Sequence, residues 1–141
     1  MIITREHPSL RLSVLPGLYY VRKVQELPID VLRSIAEEPQ MLLSITRTAN
    51  EISIVGQCSG SSENQAEGEW RCIKIAGPMP FDLTGILHSL LAPLKRADIG
   101  IFALSTWNTD YCLVPKDKIG GAVEALREDG WIFDEYVSTV S

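Results

Sequence analysis

No stretch of this 141-residue chain is apolar for long enough to cross a bilayer; the longest candidates, such as residues 99–104, have the length of a strand. The N-terminal residues, Met1 to His7, lack the hydrophobic centre of a secretory signal. A cytoplasmic location is therefore expected, with no membrane partner. An excess of basic residues is also missing. The net charge of -5 argues against nucleic acid, which selects basic surfaces. Cysteine is scarce and odd in number: Cys58, Cys72 and Cys112 form no close pair, and the two histidines, His7 and His88, stand far apart. No spacing suits a metal, and no cofactor is expected. A phosphate-cradling glycine loop and a Cys-His or Ser-His arrangement are absent too, so no enzyme is expected. Asp30, Glu37, Glu38 and Glu51 read as helix caps and solvated faces.

What the chain does have is apolar content, 45%, enough for one compact unit or two small subdomains sharing a core. Leu10, Leu12 and Val14 alternate with Arg11 and Ser13, the period of a half-buried strand closed by Pro16 and Gly17. Residues 18–24 continue in extended chain. Pro28 and Ile29 open a short helix with Asp30 as its expected N-cap, and Pro39 closes it. Residues 41–46 and 51–55 pair as a hairpin. Residues 57–69 carry no apolar periodicity and read as a polar loop, either a solvated linker or a lid. Residues 70–76 form the next strand, and Gly77, Pro78, Met79 and Pro80 a rigid turn. Asp82 is the expected cap of a helix with Leu83, Ile86, Leu87, Leu90, Leu91 and Leu94 at helical spacing; Pro93 is expected to bend or tighten its end. A second hairpin covers 99–114. Asp117 is expected to cap a last helix, Gly130 to stop it, and residues 131–136 to close as a strand.

The two hairpins share a layout. Aligned without gaps, Thr46 falls on Ser105, Glu51 on Asp110 and Val55 on Val114, an offset of about 59 residues. Gly17 precedes Glu51 by nearly the distance at which Gly77 precedes Asp110. The second half reads strand, helix, strand, strand, helix, strand, the ferredoxin-like order. In the first half the polar loop stands where the second helix belongs.

The succession Leu15-Pro16-Gly17, then Ser44 to Val55, Trp70-Arg71-Cys72, Gly77 to Leu87, Leu90 to Leu94 and Ser105 to Tyr111 resembles tandem ACT-domain proteins. These are small ACT proteins related to the cytosolic arginine sensor and to the regulatory region of aspartate kinase. The resemblance implies an α+β fold of ferredoxin-like βαββαβ ACT units in tandem, antiparallel sheets with helices on one face. The expected division is a first, incomplete unit at 1–60, a linker at 61–69 and a second, complete unit at 70–141. It also implies a regulatory module that binds a free amino acid at an ACT–ACT interface, without catalysis.

Ligands of this fold meet the turn after the first strand and neighbouring strand ends. That places Gly77, Pro78, Met79 and Phe81 in the candidate site, together with Ser105, Thr106, Trp107 and Asp110, whose Thr-aromatic-x-x-Asp pattern resembles that of arginine-sensor relatives. Trp107 stands where Phe or Tyr is more usual. The first hairpin, Arg47 to Glu51, has no aromatic residue, so the second unit is the expected ligand site. An amino acid needs donors for its carboxylate, expected from the backbone N–H groups of Gly77 and of the Asp82 helix, and acceptors for its cationic groups, expected from Asp110. Other readings stay open: Asp110 as a turn former, Ser105 and Thr106 as partners of strand-end backbone, Trp107 as a contact in a homodimer. The alternative function is a dimerisation or interaction protein that keeps the fold without a ligand. A homodimer is expected on either reading, and a regulated protein partner on the first.

Overall fold

The computed structural model describes residues 7–58, 68–78 and 85–134. Seven strands and three helices fall within them: β1 (Leu12–Val14), β2 (Tyr19–Val24), α1 (Ile29–Glu37), β3 (Leu43–Arg47), β4 (Ile52–Gln57), β5 (Trp70–Ile75), α2 (Ile86–Arg96), β6 (Phe102–Ser105), β7 (Asp110–Pro115) and α3 (Ile119–Glu128). Contacts divide the chain into two compact units, one made of Met1–Pro16 with Arg71–Ser141 and the other of Gly17–Trp70. The division expected from chain order (1–60, 61–69, 70–141) differs from this grouping at the N-terminus, because β1 pairs antiparallel with β5 through Leu12–Ile75, Ser13–Lys74 and Val14–Ile73.

In the first unit the strands lie in the order β1, β5, β7, β6. The helices α2 and α3 cover one face. Their apolar residues Leu90, Leu94, Ala122, Val123 and Leu126 join Ile73, Ile75, Cys112 and Val114 of the sheet in one buried cluster. The periodicity that predicts these helices is the periodicity of that buried stripe. This is the ferredoxin-like α+β arrangement, with β1 beside β5 where the closing strand of the pattern belongs. Residues 131–134 consequently do not reach β5. They bond to the other side of β1: the Leu12 N–H donates to the Ile132 carbonyl at 2.8 Å, and the Asp134 N–H to the Leu12 carbonyl at 2.9 Å. Residues 135 and 136 of the expected closing strand lie outside the described residues.

Three expected caps need comment. Asp30 sits within the first turn of α1, where Pro28 holds the N-cap position. Asp117 belongs to a 3-10 turn at Lys116–Lys118, and Lys118 precedes α3. In both places a carboxylate near the helix start still favours the helix dipole, but no side-chain cap forms. Asp82 lies outside the described residues, and Gly85 holds the N-cap position of α2. The C-termini behave alike. The Trp131 N–H donates to Leu126 and the Gly130 N–H to Arg127, both at 3.0 Å; the Ile99 N–H donates to Leu94 and the Asp98 N–H to Lys95, also at 3.0 Å. Helices α2 and α3 thus each end in a Schellman motif, with buried Ile99 or Trp131 as its apolar contact. Gly130 holds the left-handed position after α3, as expected; after α2 it is held by Asp98 at φ 59°. Helix α2 runs through Pro93 to Arg96.

In the second unit the order is β3, β4, β2, with α1 packing Val31 onto Tyr20 and Ile54. Trp70, the last residue of this unit, pairs with Tyr19. Residues 59–67, most of the expected polar loop, lie outside the described residues.

The duplication is visible in the two hairpins, one residue out of step with the gapless alignment. Arg47 pairs with Ile52 and Ser105 with Asp110. Inside those pairs the Thr48 N–H donates to Glu51 and the Thr106 N–H to Thr109, both at 2.9 Å. Thr48 is therefore the counterpart of Thr106, and Ile52, not Glu51, the counterpart of Asp110. One residue matters here, because strand side chains alternate between faces.

Candidate functional site

The site expected from the sequence lies in the first unit. Ile75 ends β5; beyond it the Ala76 N–H donates to the Arg11 carbonyl at 2.7 Å and the Gly77 N–H to the Ser9 carbonyl at 2.9 Å. These bonds prolong the β1–β5 ladder past both strand ends. Gly77 has φ +63° and is joined to Pro78 by a cis peptide bond. A Cβ at Gly77 would lie 2.9 Å from the Asn108 carbonyl oxygen and 2.9 Å from Thr109 Cβ. The turn after β5 and the β6–β7 turn are therefore in direct contact, as the expected site requires.

Thr109 makes this contact rigid. It is buried, and its hydroxyl donates to the Ile75 carbonyl at 2.6 Å. Thr109 is not among the candidate site residues drawn from the sequence. Nothing in the local pattern marks it, because its partner lies in β5. Thr106 closes the same turn: its hydroxyl donates to the Thr109 carbonyl at 3.1 Å and faces the Thr109 N–H at 3.4 Å. Of the open readings for Thr106, partner of strand-end backbone is the one this geometry satisfies.

Trp107 stands at the tip of the turn with 79% of its surface exposed. Ser105 and Asp110 are directly opposed across the hairpin and so point to one face, which by alternation is the face of Cys112 and Val114, under the helices. The Asp110 carboxylate makes no hydrogen bond or ion pair among the described residues. Met79 and Phe81 lie outside the described residues. One expectation is corrected. The Gly77 N–H is already bonded to Ser9, and Pro78 has none, so neither supplies a donor for a ligand carboxylate. Ser105 and Asp110 offer an acceptor pair, the chemistry that suits a cationic group.

Thiol chemistry does not enter. Burial pushes the Cys72 thiol up to about 12, with Cys112 adding to it, and burial pushes Cys112 up to about 12 as well, so both stay protonated at neutral pH. On the opposite face, Lys74 Nζ lies 5.9 Å from the centre of the Tyr111 ring. Among the described residues, no cluster of His, Cys, Asp and Glu is arranged to hold a metal ion, and no helix is long and apolar enough to cross a membrane.

A sheet of this strand order with both helices on one face defines a fold class. Residues 65–128 match the family model of the ACT domain. Over 64 residues the chain is 45% identical to the cytosolic arginine sensor for mTORC1 subunit 1 of Bos taurus and 44% identical to the Homo sapiens protein of the same name. The match takes in 43% of this chain and 20% of each sensor, so the chain spans about a fifth of the length of the curated relatives it matches. Among solved structures, a protein from Agobacterium tumefaciens is 29% identical, covers 90% of this chain and 94% of its own, and superposes with a TM-score of 0.70. The regulatory subunit of aspartate kinase from Thermus thermophilus shares the fold at 8% identity, with a TM-score of 0.54 over 86% of this chain and 93% of that one.

Proposed function

We propose that this chain is a small, non-enzymatic regulatory module that binds a free amino acid at its ACT domain, at an interface formed with a second copy, and signals occupancy to a protein partner. The observation that carries this reading is the locked contact of Gly77 with the Thr106–Thr109 turn, next to which Asp110, whose carboxylate makes no hydrogen bond or ion pair among the described residues, stands opposite Ser105. An acceptor held in place before the ligand arrives loses less entropy on binding than a mobile one. The acceptor character favours an amino acid with a cationic side chain. The test is a thermal-shift screen against the common amino acids, followed by calorimetric titration of the wild type and Asp110→Ala. Binding to the folded state raises stability by mass action, by about 2.7 kcal/mol when the ligand is at a hundred times its Kd. A cationic amino acid raising the melting temperature, with the gain lost in Asp110→Ala, supports the reading; binding that survives Asp110→Ala removes the site.

A second reading has its own observation. Helix α1 exposes Ile29 at 67%, Leu32 at 48% and Ile35 at 53%, at the spacing of one helical face. A flat response across the whole amino-acid panel together with self-association would favour a ligand-free interaction module.

A further inference from the structure

Helix α1 is the least buried of the three described helices. Of its nine residues only Val31 is fully buried, against Leu90, Pro93 and Leu94 in α2 and four residues in α3. No side-chain cap supports it. A helix this short is held by packing rather than by propensity. In the first unit α2 and α3 pack against each other as well as against their sheet. Among the described residues the second unit has α1 alone. We propose that α1 packs against α1 of a second copy, antiparallel, about a two-fold axis at Leu32. The contact takes its second copy from the proposed function and deepens that reading by giving the surface that joins the copies. It uses no residue of the Gly77–Asp110 site and needs no ligand.

The flank of α1 that makes this contact is apolar throughout. At 3.6 residues per turn, Ile29, Leu32, Ile35 and Ala36 fall within about 120° of arc, and Asp30, Arg33, Glu37 and Glu38 fall outside it. Three of the four large apolar side chains that stand exposed among the described residues are on this flank; the fourth, Trp107, belongs to the other unit. A continuous apolar row in water costs free energy that a covering surface removes. The row is also self-complementary. Ile29 and Ile35 each lie three residues from Leu32, so a two-fold axis there sets Leu32 on its own copy and Ile29 on the partner's Ile35. A closed two-fold contact uses one patch twice in this way. Charge selects the antiparallel direction. The last turn of α1 carries Glu37 and no basic residue, and Glu38 holds the C-cap, so the acidic end opposes the helix dipole. An antiparallel partner sets its positive N-terminal end alongside; a parallel one brings the two acidic ends together.

The experiment is sedimentation velocity of the full chain and of Leu32→Glu, without added amino acid, across a series of concentrations. The wild type is expected to be a dimer, and Leu32→Glu, which sets two carboxylates against each other on the axis, to raise the dissociation constant about a hundred-fold or more. Leu32 is exposed, so folding should survive, as circular dichroism checks; Leu32→Gln replaces the charged variant should it not fold. Cysteine pairing reads the geometry. In a Cys58→Ser background, Leu32→Cys alone, and Ile29→Cys mixed with Ile35→Cys, should form covalent dimers under mild oxidation. Ile29→Cys linking to itself as readily as to Ile35→Cys overturns the antiparallel arrangement. A wild type that stays monomeric at hundreds of micromolar overturns the contact and, with it, the second copy of the proposed function. A dimer that survives Leu32→Glu overturns the contact alone and leaves the second copy on another surface. A dimer that forms only when a cationic amino acid is added overturns the ligand-free contact while supporting the amino-acid reading.

Discussion

Replacing Gly77 by alanine tests whether the first turn and the β6–β7 turn form one unit. Two costs add. The residue has φ +63°, and an L side chain in the left-handed region costs roughly 1–2 kcal/mol. The new methyl would also stand 2.9 Å from the Asn108 carbonyl and 2.9 Å from Thr109 Cβ. Asn108 offers backbone, which cannot rotate away, and Thr109 is tied to Ile75 by its hydroxyl, so either the turn shifts or that bond breaks. Overpacking of this kind costs about 1–3 kcal/mol. The sum is about 2–5 kcal/mol. Gly85→Ala supplies the control: φ is +86° there, yet nothing lies within 4 Å of the position a Cβ would take, so only the backbone cost applies. Urea unfolding of both variants reads the difference, expected at about 1–3 kcal/mol in favour of Gly85→Ala. Only Gly77→Ala should also move the amide resonances of residues 106–110. Equal destabilisation, with the turn resonances unmoved, would refute the contact between the two turns.

Four further outcomes are expected. Thr109→Val keeps the shape and removes the hydroxyl that donates to Ile75; a loss of about 1–3 kcal/mol in urea unfolding is expected. The Cys72 and Cys112 thiols are pushed up to about 12 in the folded protein, whereas the unfolded chain releases these protons at its ordinary thiol pKa near 9. Above that pH the folded state holds more protons, so stability falls as pH rises from about 9 toward 12, by up to about 1.4 kcal/mol per pH unit for each thiol; Cys112→Ala should flatten the slope, measured by denaturation at stepped pH. Asp98 occupies the left-handed position after α2 that glycine usually fills, so Asp98→Gly should raise stability by up to about 1 kcal/mol, read from the denaturation midpoint. Finally, size-exclusion chromatography with light scattering should give a dimer at micromolar concentration; a monomer would remove the second copy from the proposed interface.

Periodicity in the chain by itself determined where the elements fall. The leucines at helical spacing in α2, the apolar face of α3 and the two hairpins are all visible without a fold, because which residues alternate or recur is decided by which face must leave water. The place of the first turn follows from those elements in order, and the choice of Asp110, Ser105 and Trp107 is what the ACT resemblance implies. Tertiary structure decided who pairs with whom. β1 rather than residues 131–134 lies beside β5, since an edge of free N–H and C=O groups accepts any extended segment and local pattern does not rank the competitors. The same competition bonds the Gly77 N–H to Ser9, locks the turn through Thr109 and sets the two hairpin turns one residue out of step. It also brings Arg47, Ile52 and Val24 onto one face, because they meet only across three paired strands. Such contacts join residues distant in sequence, and a local pattern carries no record of them.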